Sequence, residues 1–252
     1  MGQTTQEDVA RLAGVSRATV SYVLNNQSGG KVRISDETRQ RVQDAIRQLG
    51  YQPDAAARTL RTGRTQLLAV MVPDLTNPFY PLLIRGAQRL AEEGGYELLV
   101  YDTNDRADRE STFVDMVLRR RVDGVILVAF HLPDGDVARL RAANIQIAAV
   151  GGRLRNSGVD AIVTPERIAV AEAIAHLVER GHRRIAHLAG PQDTPPGRAR
   201  LRGYHTGLAN AAIPADEGLI RYGSFGGEGV NEMIDALFAA TGAAAPSALF
   251  AA

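Results

Sequence analysis

Four short apolar runs recur through the middle of the chain: "LLAVMV" (67–72), "YELLVY" (96–101), "DGVILV" (123–128) and "IQIAAV" (145–150). Each is too short for a buried helix, and most are apolar at successive rather than alternate positions. That is the pattern of strands covered on both faces. The segments between them, at about 79–94, 107–120 and 134–143, carry helical periodicity. Alternation of this kind predicts a parallel, doubly wound α/β sheet. A second series follows, with a helix near 166–180, a strand in "RRIAHLAG", helices from about 197–212 and 227–240, and a strand in "SALFAA". Two such lobes facing each other would hold a small molecule in the cleft outside the carboxyl ends of their strands.

The residues at those strand ends are the candidates for ligand contact. "DLTNPFYP" offers Asn77, Phe79 and Tyr80, the second strand leads to Asp102 and Asn104, and the third to Phe130 and His131. In the second series Arg200 lies in "RARLRGY" and Phe225 in "YGSFGGEG". Phe79 and Tyr80 suit a core as well as a cleft wall, Arg200 suits an open surface, and His131 suits an ordinary loop. "GHRRIAHLAG" fits a turn entering a strand better than a catalytic histidine cluster.

The first 65 residues differ in kind. They hold ten Lys or Arg against six Asp or Glu, whereas the remainder holds nineteen against twenty-two, so a net charge of +1 hides a basic head on an acidic body. A basic head suits a nucleic-acid partner, although a solvated surface has the same composition. "DVARLAGVSRATVSYVLNN" (8–26) interrupts a helical pattern at Gly14. Thr5 and Asp8 have the spacing of a capping box, and Gly14 suits a left-handed helix end. Ser16 can cap a second helix running to about Asn25. Ala10, Gly14 and Val20 then stand where a helix-turn-helix needs a small crossing residue, a turn former and an apolar anchor. Ser35 opens a third helix with Val42, Ile46 and Leu49 toward a core, and Gly50 ends it. A plain three-helix bundle is the alternative; the turn spacing together with the basic balance argues against it.

Several functions find no support. Cysteine is absent, so there is no disulfide framework and no thiolate zinc site. No GxSxG elbow, GxxxxGK[ST] phosphate loop or HExxH pair occurs, and a catalytic constellation for an α/β enzyme fused to a DNA-binding head cannot be named. No apolar run reaches the length of a membrane span, and "MGQTTQEDVA" lacks the pattern of an export signal. The expectation is a cytoplasmic protein without membrane contact, cofactor or metal. A solute-binding protein would share two lobes but would need export and no basic head.

"TQEDVARLAGVSRATVSYVLN", "VRISDETRQRVQDAIRQLGYQPDAAARTLRTGRT" and "VPDLTNPFYPLLIRGAQRLAEEGGYELLV" resemble the bacterial lactose-repressor/galactose-repressor transcription factors. "VDGVILV", "LVERGHRRIAHLAGP", "RARLRGYHTGL" and "PSALFAA" extend the resemblance over essentially the whole chain. It implies a helix-turn-helix DNA-binding domain at 1–50, a hinge helix at 51–65, and a periplasmic-binding-protein-like body with lobes at 66–162 and 163–252. It also implies a homodimeric repressor of a near-palindromic double-stranded DNA operator, not an enzyme, modulated by a small-molecule effector such as a sugar. A purine- or nucleoside-responsive regulator is the alternative.

The same resemblance assigns residue roles. Arg17 and Ala18 occupy the two base-choosing positions of the recognition helix, where Arg17 can fork to guanine and Ala18 offers a methyl group. Tyr22 departs from the family, whose members mostly carry Arg there, and a phenol cannot make that fork. Thr5, Ser16, Thr19, Ser21 and Asn25 carry short polar groups suited to phosphate. Leu60 would be the wedge entering the minor groove, Ala57 would let two hinge helices approach, and Arg58 and Arg61 would meet phosphates. A flexible linker is the plainer reading of 51–64, since seven residues of helix do not hold alone in water. In the body the resemblance makes Arg200 a clamp and Phe79, Tyr80 and Phe225 walls. Pro165-Glu166 replaces the Asp-Asn usual in relatives. "PSALFAA" leads in relatives to further strands and helices, so a truncated family member is expected, with weakened effector binding and dimerisation.

Overall fold

The computed structural model describes residues 4–24, 34–52, 59, 60, 62–239 and 242–252, which divide into two compact units at Thr65 and Gln66. In the first unit three helices follow from their caps. α1 (Gln6–Ala13) begins at Thr5, whose Oγ1 accepts from the Asp8 amide at 3.3 Å while the Asp8 carboxylate accepts from the Thr5 amide at 3.0 Å. The Thr5 hydroxyl also donates to the Asp8 carboxylate at 2.7 Å, and that bond, with the one from the Thr5 amide, holds the Asp8 carboxyl below its ordinary range. Gly14 ends α1 at φ 64°, a left-handed conformation that glycine adopts without strain, and the Val15 amide donates back to Ala10 at 3.0 Å. α2 (Arg17–Leu24) starts two residues later, with Ser16 Oγ accepting from the Thr19 amide at 3.1 Å. α3 (Asp36–Leu49) is capped by Ser35 and closed by Gly50. Val9, Ala10, Ala13, Val20, Val23, Val42, Ala45 and Tyr51 form the buried centre, against which Ile46 and Leu49 pack half-buried.

The second unit holds two parallel sheets. β1 (Leu67–Val72), β2 (Glu97–Asp102), β3 (Gly124–Leu127), β4 (Gln146–Val150) and β5 (Asp160–Ile162) lie in the order β2-β1-β3-β4-β5. The helices between them are α4 (Phe79–Glu93), α5 (Ala107–Arg120) and α6 (Asp134–Ala142). β1 explains the unbroken apolar run. Ala69 and Met71 pack on one face with Phe113, Val114 and Val117 of α5 and Val137 and Leu140 of α6. Val70 and Val72 pack on the other with Tyr80, Val128 and Phe130.

The smaller sheet has the order β7-β6-β8, built from β6 (Ile185–Ala189), β7 (Ile220–Tyr222) and β8 (Ala248–Ala251). α7 (Glu166–Glu179), α8 (Pro195–Asn210) and α9 (Val230–Phe238) accompany it. α7 and α8 pack closely because two glycines permit it. A Cβ on Gly203 would lie 2.7 Å from the Arg167 carbonyl oxygen, and one on Gly207 would lie 2.6 Å from the Ile174 Cβ. Below them the Tyr204 hydroxyl donates to the Ile185 carbonyl at 2.8 Å, and its ring stacks on His187 at 4.8 Å. Burial lowers the His187 pKa, so the imidazole is held neutral inside this lobe. It serves the core, as the turn-and-strand reading of "GHRRIAHLAG" expects. Two strands escape the periodicity argument. β5 and β7 are three residues each, and every residue of β5 is exposed.

Candidate functional site

Two surfaces are candidates for function, one on each unit. On the first, the start of α2 presents Ser16, Arg17 and Ala18 exposed, while Val20 and Val23 anchor the opposite side in the centre. Thr19, Ser21 and Tyr22 are half-buried. The helix thus shows its first turn outward, and the arginine side chain is available to a partner. Thr5 is exposed and already engaged as a cap. Leu60 is helical and 89% exposed. Asn25, Ala57, Arg58 and Arg61 lie outside the described residues.

The second surface is a cleft of about 1390 Å³ in the second unit. Asn77, Phe79, Tyr80, Phe130, Arg200 and Phe225 all line it. The strand order explains why. The chain leaves β1 for β2 on one side and returns to β3 on the other, so β1 and β3 flank the point where strand order reverses. The loops there diverge and open a crevice. Asn77, Phe79 and Tyr80 follow β1, and Phe130 follows β3.

Local interactions fix these side chains. Asn77 Oδ1 accepts from the Phe79 amide at 3.0 Å, which starts α4 and sets Phe79 and Tyr80 edge to face with centroids 5.3 Å apart. Phe79 is 58% exposed, whereas Tyr80 is buried and burial raises its phenol pKa. The loop after β3 is pinned by Glu110, 1% exposed on α5. Its carboxylate accepts from the Phe130 amide at 2.9 Å and the His131 amide at 3.1 Å. Burial raises the Glu110 carboxyl, and the amide donors oppose that shift. Opposite, the Arg200 guanidinium lies 5.4 Å from the Phe225 ring centroid and pairs with Glu166 at 3.1 Å. Phe225 can reach the first lobe's Val70–Tyr80 cluster because Gly190 has no side chain; a Cβ there would stand 2.4 Å from Phe225 Cε1.

Asp102, Asn104 and His131 lie outside the cleft lining. Asp102 ends β2 and Asn104 follows it, and β2 is an edge strand away from the reversal point. The Asp102 carboxylate is taken by the amides of Leu75 at 3.3 Å and Asn104 at 2.8 Å, a turn-forming role. His131 Nε2 stands 4.0 Å from Asp193 Oδ2, a residue that follows β6. Glu110 and Arg153 shape the cleft and escaped the sequence reasoning, and Glu166 entered it only as a departure from relatives. Arg153 donates to the Leu132 carbonyl at 2.6 Å and pairs with Asp134 at 3.2 Å, tying the loops after β4 and β3 together. Among the described residues no His/Asp/Glu group could hold a metal ion, and no helix is long and apolar enough to cross a membrane.

Two family models match this architecture. Residues 5–54 match bacterial regulatory proteins of the lacI family, and residues 65–248 match periplasmic binding proteins and the sugar binding domain of that family. The HTH-type transcriptional regulator DegA of Bacillus subtilis (strain 168) is 32% identical over 252 residues, covering 99% of this chain and 73% of DegA. The ribose operon repressor of Escherichia coli (strain K12) is 32% identical over 223 residues, 88% of this chain and 66% of that protein. Among solved structures, the lac repressor dimer bound to operator and the anti-inducer ONPF superposes with a TM-score of 0.80 at 26% identity. That superposition covers 100% of this chain and 74% of the other.

Proposed function

The chain belongs to the lacI family of bacterial regulatory proteins, and from that premise we propose that it is a cytoplasmic, non-enzymatic repressor. It binds a near-palindromic operator as a homodimer and answers to a small-molecule effector, a sugar or related metabolite. Residues 1–50 read DNA, 51–65 form the hinge, and lobes at 66–162 and 163–252 enclose the effector. The observation that carries this reading is the first turn of α2. Its Arg17 and Ala18, assigned to base reading by the family resemblance, stand exposed on a helix whose other side is locked into the head's centre.

The division of labour follows from chemistry. Phosphate contacts by Thr5, Ser16, Thr19, Ser21, Asn25, Arg58 and Arg61 position the head, and Arg17 specifies sequence. Leu60 opens the minor groove, and Ala57 lets the two hinges approach. The effector sits against Phe79, Tyr80 and Phe225 and is held by Arg200. It shifts DNA affinity only by as much as it prefers one arrangement of the lobes over the other.

The test is a footprint on the organism's own upstream DNA, followed by Arg17→Ala. The substitution is expected to cost about 1–3 kcal/mol on the cognate site and to relax preference at one base pair in each half-site. Equal losses on cognate and random DNA overturn the assignment of Arg17 to a base.

A further inference from the structure

The charges around the cleft are sorted. Residues 66–252 hold nineteen arginines, no lysine, and twenty-two carboxylates, so an unbiased sample of that surface would be slightly acidic. The cleft lining holds six of the arginines, namely Arg153, Arg155, Arg167, Arg198, Arg200 and Arg202, and one carboxylate, Glu166. Three of the six are occupied: Arg153 by Asp134, Arg200 by Glu166, and Arg198 by the Gln192 carbonyl at 3.0 Å. Among the described residues, the guanidinium groups of Arg155, Arg167 and Arg202 have no carboxylate within ion-pair distance. They come from three separate elements, the loop after β4, the start of α7, and α8, so helix periodicity on one element does not account for their meeting at one cleft.

A neutral sugar can accept from a guanidinium through its hydroxyls but gains nothing from an excess of positive charge. Guanidinium groups offer planar pairs of donors that match phosphate and carboxylate oxygens, and their excess in a recess concentrates anions. The aromatic walls, Phe79 and Phe225, suit the apolar face of a ring. We infer that the effector is anionic, a polyhydroxylated ring that carries a phosphate ester or a carboxylate. This rests on the cleft being the effector site. The ring meets Phe79 and Phe225, and its anionic group meets Arg155, Arg167 and Arg202 at the rim.

The experiment is calorimetric titration of the full chain at low and high salt. The probes are pentose and hexose monophosphates, their parent sugars, the corresponding sugar acids and inorganic phosphate. At least one anionic sugar should bind tenfold or more tighter than its neutral parent, with affinity falling as salt rises. The ester and acid arms identify which anionic group is used. The double variant Arg167→Ala, Arg202→Ala alters only exposed side chains, so its circular-dichroism melt should match the parent's. It should weaken the anionic sugar by roughly tenfold to a hundredfold, the range for charged hydrogen bonds. A neutral sugar that binds as tightly as every anionic one, unchanged in the double variant and lost in Phe79→Ala, overturns the anionic inference and leaves the cleft as effector site. Inorganic phosphate binding as tightly as its sugar esters also overturns it, because the ring would then contribute nothing. No binding by any probe also overturns the inference that the effector is an anionic sugar.

Discussion

The buried centre of the head draws every member from the stretch between Val9 and Tyr51. The cleft draws Tyr80, Phe130, Glu166, Arg200 and Phe225 from the ends of separate strands and helices across the body. The head is therefore a local object, whose caps and apolar positions lie close together in the chain. The cleft is a product of scaffolding, set by strand order and by residues that never face its interior. The difference teaches where each can be damaged: the head through its own core, the cleft through supports that touch no ligand.

The largest expected effect comes from breaking the local object. Val42 is fully buried in the head, and Val42→Asp places a carboxylate there without a partner. A cost above about 4 kcal/mol is expected, enough to unfold a small helical unit. DNA binding and the head's share of helical ellipticity should disappear while effector titration persists. If the body's thermal transition falls by a comparable amount, the two units are not separable in this way.

A smaller effect should follow from disturbing a support. Gly190→Val sets side-chain atoms where Phe225 now stands. About 1–3 kcal/mol of strain is expected, relieved as Phe225 swings away from the cleft. Effector affinity should fall by tenfold or more, and DNA affinity measured without effector should stay unchanged. Unaltered effector affinity would remove Phe225 from the binding wall.

The smallest concerns a residue given two roles. Thr5→Ala removes the cap of α1 and should cost the head about 1 kcal/mol. If Thr5 also touches phosphate, DNA affinity should drop beyond what the loss of folded head explains, and Thr5→Ser should restore both. A loss confined to head stability would make Thr5 a cap alone.

These regions also differ in how far the sequence discloses them. Thr5, Gly14, Ser35 and Gly50 announce helix ends through local chemistry, and the structure puts a cap at each. The four apolar runs announce strands, most strongly β1 and β3, which are covered on both faces, whereas the edge strand β2 leaves Val100 exposed. Asp102 and Asn104 show the limit. They stand at a strand end, as a ligand contact should, but strand order decides which ends face the cleft, and no single run encodes it. Glu110 was detectable in principle: it shares a helix face with Phe113, Val114 and Val117, an odd place for a carboxylate, and it turns out to be buried there. Glu166 was noticed only as a departure from relatives, because its partnership with Arg200 joins two helices distant in sequence. β5 and β7 are too short to show a period at all.

β1 has a further consequence that belongs to time and not to energy. It is the first strand of the body to be synthesised, yet its hydrogen-bonding neighbours are β2, beginning at Glu97, and β3, beginning at Gly124. Until β2 has emerged, "LLAVMV" has no partner for either edge, and until β3 follows, one edge stays open. Parallel pairings of this kind are slow, because the intervening chain must be ordered before any ladder forms. During that interval the stretch that becomes the most protected in the body is its most adhesive. A nascent chain with a finished head therefore trails a vulnerable segment, and the yield of native protein depends on how quickly β3 arrives.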